Sequence, residues 1–507
     1  MVEIGHYVFE SAVERLAIEK SQMEPMYAPT EKIPVIIVDN FPELGKLTAM
    51  RFIEWVQTNP DGVISLPTGK TPEHFIKWVQ YFLKNWNLSE AQADLKSWGI
   101  DTSIKPQTDR LRFVQIDEFY PINPMQNNSF YHYINRFYIK GFGLDRDKAL
   151  LIDAYRIGIP KDKETENVFK DDKVDLSLRT RQATNTLERI QKKVIEEVDQ
   201  YCYEYETKIR NMGGIGFFLG GIGPDGHIGF NVKGSDHYST TRLTPTNYET
   251  QAAAASDMGG IEVARNRLVI TIGLKTIVYN SDGVAIIIAS GESKSKIVAN
   301  AIQNEENNLY PATVLHNLKK ARFYITKGAT RHLVERRYQE LYRNETLTDE
   351  QCQRVVINLS IFDQKPIREL TRKDFTENKL GNLILTKSQK TLSALKEETV
   401  QSLQEKIRDG VTPVEGEIFM HTAPHHDDIM LGFWPYMVHL VRDPKNKHVF
   451  NYMTSGFTAV TNKYVLDLLE TLKKHIDSPT FKRRLQDNYF EPENIKFLII
   501  YSELLEE

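Results

Sequence analysis

Short apolar runs rich in β-branched residues recur along this chain between longer segments with helical periodicity. They lie at residues 35–38, 63–66, 111–116, 215–219, 268–272, 284–289 and 323–325. Runs of this length are typical of buried strands. Strands that alternate with helices form a mainly parallel sheet, because parallel neighbours require long crossover connections. The pattern therefore predicts a parallel sheet that is covered by helices on both faces.

At 507 residues the chain is too long for one ordinary hydrophobic core. The pattern predicts an N-terminal extension (1–33), a main domain (34–345), a helical connector (346–412) and a smaller domain (413–507). The charged stretch 156–181 is expected to form a solvated surface loop. The expected fold class is α/β: a Rossmann-like, mainly parallel sheet with helices on both faces, followed by a second, truncated α/β domain.

Composition excludes several classes of partner. The chain has 64 Lys and Arg against 68 Asp and Glu, and its basic runs are short, so no nucleic-acid partner is expected. Cys202 and Cys352 are far apart and outside any metal-ligand spacing, which indicates reduced, structural thiols. No leader-like segment is present, and stretches such as 284–289 are too short to span a bilayer. We therefore expect a cytoplasmic protein without a membrane partner.

Two strand-to-helix joints carry groups suited to phosphate. Thr71 is suited to cap a helix that would begin at Pro72, so the backbone amides near Gly69 are expected to face an anion at the positive helix end. Lys294 follows the sixth run and can reach the same anion. A capped turn and an exposed lysine explain these residues as well. The candidate phosphate ligands are Thr68, Gly69, Lys70, Thr71 and Lys294.

Two carboxylates, Asp117 and Glu118, directly follow the third run. Ligands of such sheets bind beyond the carboxyl ends of the strands. One of the two carboxylates can therefore act as a base while the other contacts the substrate. Helix capping or a surface turn is the alternative interpretation of this pair.

A glycine-rich loop after the fourth run contains an acid and an imidazole two positions apart. Gly221 permits close backbone approach to a ligand. Asp225 and His227 can face one ligand across Gly226. A neighbouring carboxylate keeps an imidazole in one tautomer and raises its basicity, which suits proton transfer. The sequence therefore predicts catalytic roles for Asp225 and His227 and a ligand contact at Gly221.

In order and spacing, these segments resemble the glucosamine-6-phosphate deaminase and 6-phosphogluconolactonase superfamily over roughly 300 residues. Residues 223–227 match both branches, whereas residues 117–120, 129–131 and 227–231 are more similar to the deaminase branch. The resemblance implies conversion of glucosamine 6-phosphate to fructose 6-phosphate and ammonia, in amino-sugar catabolism. It implies a small sugar phosphate as the ligand and no cofactor.

The same resemblance implies roles for individual residues. Asp117 matches the base that moves a proton between adjacent carbons of the opened sugar. His227, oriented by Asp225, matches the group that opens the pyranose ring. Thr68, Gly69, Thr71 and Lys294 match the residues that hold the phosphate, which positions the reacting carbons.

Two positions depart from the family pattern. Val232 stands where the family has a glutamate that supports the ring-opening histidine. Ser256 stands where the phosphate-binding arginine is expected, and Lys70 is a substitute charge. These departures leave open a lactonase or isomerase of another sugar phosphate, or a catalytically silent sugar-phosphate sensor. The sequence also leaves the oligomeric state open, including a homo-oligomer.

A second candidate site follows a strand expected in the C-terminal part. His425, Asp427 and Asp428 are closely spaced donors that suit zinc, although a cluster of polar loop residues is the alternative. The segment resembles the first motif of the zinc-dependent PIG-L/LmbE de-N-acetylases, which implies His425 and Asp428 as ligands and Asp427 as the general base. Ile429 replaces the family's usual glutamate, and the third ligand, a histidine, is expected beyond Glu507. The sequence therefore predicts a truncated or structural second domain.

Overall fold

The computed structural model describes residues 2–126, 128–161, 163–170, 173–248, 251, 267–425, 427–454 and 462–487. Its strands are β1 (Val2–Ile4), β2 (Tyr7–Phe9), β3 (Val35–Val38), β4 (Val63–Ser65), β5 (Arg112–Val114), β6 (Asp117–Tyr120), β7 (Ala149–Leu150), β8 (Phe217–Gly221), β9 (Arg242–Thr244), β10 (Leu268–Thr271), β11 (Val284–Ala289), β12 (Lys320–Thr326), β13 (Ile418–Ala423) and β14 (Lys447–Tyr452).

The helices of the main part are α1 (Ala12–Ser21), α2 (Phe41–Thr58), α3 (Glu73–Lys84), α4 (Ser89–Ser97), α5 (Phe130–Ile134), α6 (Lys140–Phe142), α7 (Thr165–Val168), α8 (Thr186–Asn211), α9 (Leu274–Ile277), α10 (Ser295–Gln303) and α11 (Val334–Arg343). Those that follow are α12 (Asp349–Asp363), α13 (Arg372–Glu377), α14 (Lys379–Lys387), α15 (Leu392–Val411), α16 (Asp428–Val441), α17 (Asn462–Ile476) and α18 (Pro479–Gln486).

The main sheet contains seven parallel strands in the order β3-β12-β11-β8-β4-β5-β7. All six residues of β11 are buried. Ala285 and Ile287 enter one hydrophobic core, whereas Ile286 and Ile288 enter the other. Because successive side chains of a strand point to opposite faces, the continuous apolar run supplies both sides of a covered sheet. The predicted α/β, Rossmann-like fold class is confirmed.

A smaller antiparallel sheet has the strand order β6-β10-β9. It shows that two strand predictions are wrong: residues 111–116 do not form one continuous strand, and the run 268–272 does not belong to the main parallel sheet. The third apolar run ends as a strand at Val114, and Asp117 begins the new strand β6 instead of following the old one. The fifth run forms β10, which pairs with β6 so that Asp117 lies opposite Thr271. An apolar run predicts a strand but carries no information about its distant hydrogen-bonding partner, which explains both errors.

The charged stretch 156–181 is not wholly a solvated loop as expected. Val168 and Phe169 are buried in the core on one face of the main sheet, and Leu178 is also fully buried. Val168 ends helix α7, Phe169 is the C-cap of that helix, and Leu178 lies in the 3-10 turn Leu176–Arg179. The few apolar side chains in a charged segment therefore anchor it, because burying each one stabilises the folded state by about 1.5–3 kcal/mol.

The residues after the main part form two further groups of elements. Helices α12 to α15 pack around their own buried cluster, which includes Val356, Phe375 and Ile384. In the C-terminal part, the strand expected before His425 is β13, and it pairs with β14 in a two-stranded parallel sheet. Among the described residues, no helix has the length and apolar character needed to cross a membrane.

Candidate active site

A cavity of about 260 Å³ opens at the carboxyl ends of β4, β8 and β11. This is the edge where ligands of parallel sheets bind. Eight of the residues predicted from the sequence line it: Thr68, Gly69, Lys70, Thr71, Asp117, Gly221, His227 and Lys294. Asp225 and Glu118 were predicted with them but lie outside its lining.

The loop between β4 and α3 forms one end of the cavity. Gly69 adopts a φ of +83°, and its carbonyl accepts a hydrogen bond of 2.9 Å from the Tyr133 hydroxyl. The prediction that Thr71 caps the following helix is wrong, because α3 begins at Glu73 and has Pro72 at its N-cap. A turn in which the Glu73 amide donates to the Lys70 carbonyl precedes the helix. The Thr71 side chain is therefore left to line the cavity.

Lys294 lines the same cavity. It ends the 3-10 turn Glu292–Lys294 that follows β11, and α10 begins at the next residue. Its Nζ donates a hydrogen bond of 2.9 Å to the Ile222 carbonyl. Burial lowers the pKa of Lys294, against a smaller opposing effect of the Asp225 charge. This half-buried cation and the turn of Gly69 together form a site suited to a phosphate group.

Asp117 enters the cavity from the smaller sheet. It is the first residue of β6, and only 7% of its surface is exposed. Burial, and secondarily the neighbouring Glu118 carboxyl, raise the pKa of Asp117 well above its ordinary value. A carboxylate with a raised pKa is a stronger proton acceptor than an ordinary surface aspartate. The geometry and the electrostatics of Asp117 are those of a general base.

Glu118 points away from the cavity, in contrast to the role predicted for it as a substrate ligand. Successive side chains of a strand point to opposite faces. Its carboxylate accepts hydrogen bonds from the Ser129 hydroxyl at 2.8 Å and from the backbone amides of Phe119, Phe130 and Tyr131. Burial raises the pKa of Glu118 to about 7, and these hydrogen bonds limit the rise. Glu118 therefore fixes the start of α5 against β6.

The substitution Glu118→Gln tests this structural role. The amide nitrogen of the glutamine cannot accept the hydrogen bonds that the carboxylate oxygen accepts at that position. Some of the buried hydroxyl and amide donors around residue 118 would therefore lose their acceptor. We expect a loss of about 2 kcal/mol in the free energy of unfolding, measured by urea denaturation. Glu90→Gln, on the exposed start of α4, is the matched control and should leave the midpoint unchanged. Equal stability of the two variants would contradict this role.

His227 lines the cavity, and Asp225 holds it from behind. Asp225 Oδ1 and His227 Nδ1 lie 2.5 Å apart. Asp225 Oδ2 accepts hydrogen bonds from the Lys233 backbone amide at 3.1 Å and from Asn247 Nδ2 at 2.6 Å. Burial raises the pKa of Asp225, but His227 and the other donors hold that pKa below its usual value. Asp225 stays ionised, and it keeps Nδ1 of the imidazole engaged.

Two glycines allow this arrangement of the loop. A Cβ atom at Gly223 would lie 2.0 Å from His227 Cε1, so any side chain there would displace the imidazole. Gly226, between the acid and the histidine, has a φ of +88°, which other residues rarely adopt. The glycine-rich composition of the loop therefore serves the position of His227, in addition to ligand approach.

Sequence reasoning missed four residues of the site. Phe119, Phe130 and Phe230 form an aromatic wall of the cavity, with ring centroids 5.0–6.1 Å apart. Each lies within a segment that carries the family resemblance, at residues 117–120, 129–131 and 227–231, and this membership is the signal that could have identified them. Asn247 is missed because nothing in its local sequence indicates that it reaches Asp225. It donates to the carboxylate that orients His227.

The two departures from the family pattern have different outcomes. Val232 does not line the cavity, and its backbone carbonyl accepts a hydrogen bond of 2.9 Å from the Ser235 amide. Asn247 is the polar side chain that supports the Asp225 and His227 pair in this structure. Ser256, the position expected for a phosphate-binding arginine, lies outside the described residues.

The second candidate site shows a different arrangement. The Asp427 carboxylate contacts His425 Nδ1, and Asp428 Oδ2 accepts a hydrogen bond of 2.8 Å from the His425 backbone amide. The three residues thus bond to one another. Among the residues that the structure describes, no group of three His, Cys, Asp or Glu side chains is arranged to hold a metal ion. We assign no chemistry to zinc here, and zinc binding stays a prediction from sequence resemblance.

Comparisons with known proteins support the resemblance in the main part of the chain. They show similarity to the glucosamine-6-phosphate deaminase and 6-phosphogluconolactonase superfamily over about 58% of the chain. Glucosamine-6-phosphate deaminase 2 of Bacillus subtilis is 26% identical over 285 residues, which are 56% of this chain and 91% of the relative. A glucosamine-6-phosphate deaminase of Clostridium botulinum is 25% identical over 299 residues, 59% of this chain and 98% of the relative.

Two solved structures are also similar. A monomeric glucosamine-6-phosphate deaminase aligns with a TM-score of 0.43 and 21% identity, covering 58% of this chain and 98% of its own. The 6-phosphogluconolactonase from Trypanosoma cruzi aligns with a TM-score of 0.40 and 16% identity, covering 61% of this chain and 99% of its own. No family model matches the chain. The comparisons do not show the second likeness, to PIG-L/LmbE de-N-acetylases.

Proposed function

We propose that the main domain converts glucosamine 6-phosphate to fructose 6-phosphate and ammonia. One observation carries the proposal: a single cavity is lined by a buried carboxylate, by an imidazole with an engaged Nδ1 and, at one end, by groups suited to a phosphate. Asp117 reaches the cavity from β6 and His227 from the loop after β8. Lys294 lines the cavity from the turn after β11. Relatives at 25–26% identity that carry the deaminase name support the reaction type.

In this proposal the phosphate of the sugar is the main binding group, because holding it fixes the position of the reacting carbons. The Thr68 to Thr71 loop and Lys294 hold it. His227 then transfers a proton at the ring oxygen, which opens the pyranose to the aldehyde. Asp225 stabilises the correct tautomer and the charge of the imidazole during that transfer.

Asp117 next removes the proton from C2 of the opened sugar while the aldehyde oxygen takes up a proton from solvent, which gives an enol with its double bond between C1 and C2. Asp117 then returns its proton to C1, the double bond shifts to the bond between C2 and its nitrogen, and one N–H proton returns to solvent, which gives a ketimine. Addition of water to C2 and departure of ammonia yield the ketone of fructose 6-phosphate. No electrons enter or leave, so the proposed reaction requires no redox cofactor. The raised pKa of Asp117 allows the same group to accept and return the proton.

The direct test of the proposal is a coupled ammonia assay with glucosamine 6-phosphate. We expect ammonia and fructose 6-phosphate in equal amounts. Fructose 6-phosphate release and ammonia release should stop together in variants of Asp117. A wild-type protein that binds the substrate but releases no ammonia would refute the proposal.

A second candidate function, a sugar-phosphate sensor without turnover, is favoured by Val232. Valine cannot support the ring-opening step as the family's glutamate does. The sensor predicts that glucosamine 6-phosphate raises the thermal midpoint while a panel of phosphosugars and lactones remains unconverted. Conversion of any of them excludes the sensor, and conversion of a lactone instead of the amino sugar identifies a lactonase.

The substitution Lys294→Met tests the phosphate end of the cavity. It removes one charge-assisted hydrogen bond, and we expect KM for glucosamine 6-phosphate to rise about 10-fold to 100-fold. The change in kcat should be smaller, because the phosphate is remote from the reacting carbons. Lys296→Met, an exposed position on α10, is the control and should leave KM unchanged. An unchanged KM in Lys294→Met would contradict the assignment.

A further inference from the structure

A second cavity, of about 410 Å³, lies beside the catalytic one. It is enclosed by the end of α1, the ends of β3 and β12, and helices α11 and α12. Its volume is in the range of small-molecule sites. None of the reaction steps proposed above uses it.

The lining of this cavity is strongly cationic. Three carboxylates line it, Asp39, Glu292 and Glu340. Six cationic side chains also line it: Lys20, Lys327, Arg331, Arg336, Arg337 and Arg354. Six positive groups against three negative ones leave an excess of three in the lining, and the buried Glu31 carboxylate that pairs with Arg336 reduces this excess to two positive charges. An enclosed excess of this size favours a multiply charged anion over a single carboxylate.

Several of these cations have partners that a ligand could replace. Lys327 pairs with Asp39, and Arg331 pairs with Glu292. Both pairs are partly exposed, and exposed pairs of this kind contribute little to stability. Exchanging such a partner for a ligand anion therefore costs little free energy.

Arg336 is the buried member of the lining, with 1% of its side chain exposed. Its Nε and Nη2 donate to the Glu31 carboxylate at 2.8 Å, and Nη2 also donates to the Pro25 carbonyl. Glu31 and Pro25 do not line the cavity. The remaining donor group, Nη1, has no hydrogen-bond partner among the described residues. A buried donor without a partner lowers the stability of the folded protein unless a ligand or a water molecule accepts its hydrogen bond.

We infer that this cavity is a binding site for the phosphate group of a small molecule, separate from the catalytic cavity. Guanidinium groups match the oxygen geometry of phosphate, and the charge excess suits a phosphate dianion. Arg336 brings a buried guanidinium to the lining, and Arg331 and Arg337 add two cations that are more exposed. The inference does not depend on which reaction the catalytic cavity performs.

The two cavities share one structural element. Glu292 lines the second cavity, and Lys294, at the other end of the same 3-10 turn, lines the catalytic cavity. A phosphate that displaces Glu292 from Arg331 therefore acts on the turn that carries Lys294. Any such coupling is subsidiary to the binding itself.

The test is equilibrium dialysis of the full chain with radiolabelled inorganic phosphate at low ionic strength, since salt screens charged contacts. We expect two bound phosphates per wild-type chain. The double variant Arg331→Gln/Arg337→Gln should weaken one of them by about tenfold for each charge-assisted hydrogen bond lost. Lys294→Met should weaken the other, and Lys373→Gln, an exposed charge on α13, should affect neither.

Arg336→Lys is the second probe, because lysine keeps a positive charge for Glu31 but removes Nη1. Thermal midpoints show whether each variant is folded, and Arg331→Gln alone replaces the double variant if that one unfolds. The inference is overturned if wild type binds no phosphate, if its only phosphate is lost in Lys294→Met, or if the second phosphate binds the folded arginine variants with unchanged affinity. A phosphate that is lost only in the arginine variants supports the inference and instead contradicts the proposed phosphate end of the catalytic cavity.

Discussion

Ammonia release from glucosamine 6-phosphate is expected to fall by about 100-fold to 10,000-fold when Asp117 is replaced by Asn, because that is the usual contribution of a general base. Asparagine has nearly the same shape as aspartate but cannot accept the C2 proton. The loss should appear in kcat and in kcat/KM alike, since the phosphate end of the cavity is intact. Steady-state kinetics by the coupled ammonia assay provide the measurement.

The pH dependence of the wild type adds an independent readout for the same residue. Asp117 must be ionised to act as a base, and its pKa is raised by burial and by Glu118. Activity is therefore expected to be low below this raised pKa and to increase as the pH rises through it. The acid limb of kcat/KM should lie above the range of an ordinary surface aspartate.

Asp61→Asn is the matched control for Asp117→Asn. Asp61 pairs with Arg110 at the surface, and its carboxylate is 62% exposed. Its replacement should leave kcat and the pH profile unchanged. If Asp117→Asn retained wild-type activity, Asp117 could not be the base, and the proposed reaction would lose its proton-transfer step.

Replacement of His227 by Gln is expected to lower kcat by about 100-fold or more, within the usual contribution of a positioned acid or base. Glutamine keeps a polar group in the cavity but cannot exchange a proton at neutral pH. Ring opening would then depend on the slow spontaneous reaction of the sugar. KM should change little, because His227 does not hold the phosphate in the proposed mechanism.

Asp225→Asn separates orientation from proton transfer. It keeps the size of the side chain next to His227 Nδ1 but removes the charge that stabilises the imidazolium. We expect a smaller loss of kcat than in His227→Gln. His475→Gln, an exposed position on α17, controls for the loss of an imidazole and should be fully active. Full activity of His227→Gln would exclude His227 from ring opening.

The local sequence is sufficient to predict most of the site because its residues follow strands directly. Parallel strands end at one edge of a sheet, so the positions of Thr68, Gly221 and Lys294 after their strands predict that they meet at that edge. The cavity lining confirms that they meet. The same reasoning cannot separate Asp117 from Glu118, since both follow one apolar run. Their opposite directions depend on the pairing of β6 with β10.

Interactions between distant residues are the ones that sequence reasoning missed. Asn247 reaches Asp225 across 22 positions of the chain. Arg336 binds Glu31 across 305 positions, and the cavity beside it is assembled from several separate segments. Spacing rules describe neighbours within a strand, a turn or a helix, and they do not predict contacts between residues that are far apart in the sequence.

The sequence by itself determined six of the seven strands of the main sheet, the edge of that sheet that carries the site and the chemical groups available there. Apolar periodicity and backbone preferences are local properties, so they can be recognised within a single segment of the sequence. Only the tertiary structure decided which carboxylate enters the catalytic cavity, what holds the imidazole and where the second, cationic cavity forms. These features depend on which distant segments pack together, and that choice is made by the free energy of the whole fold.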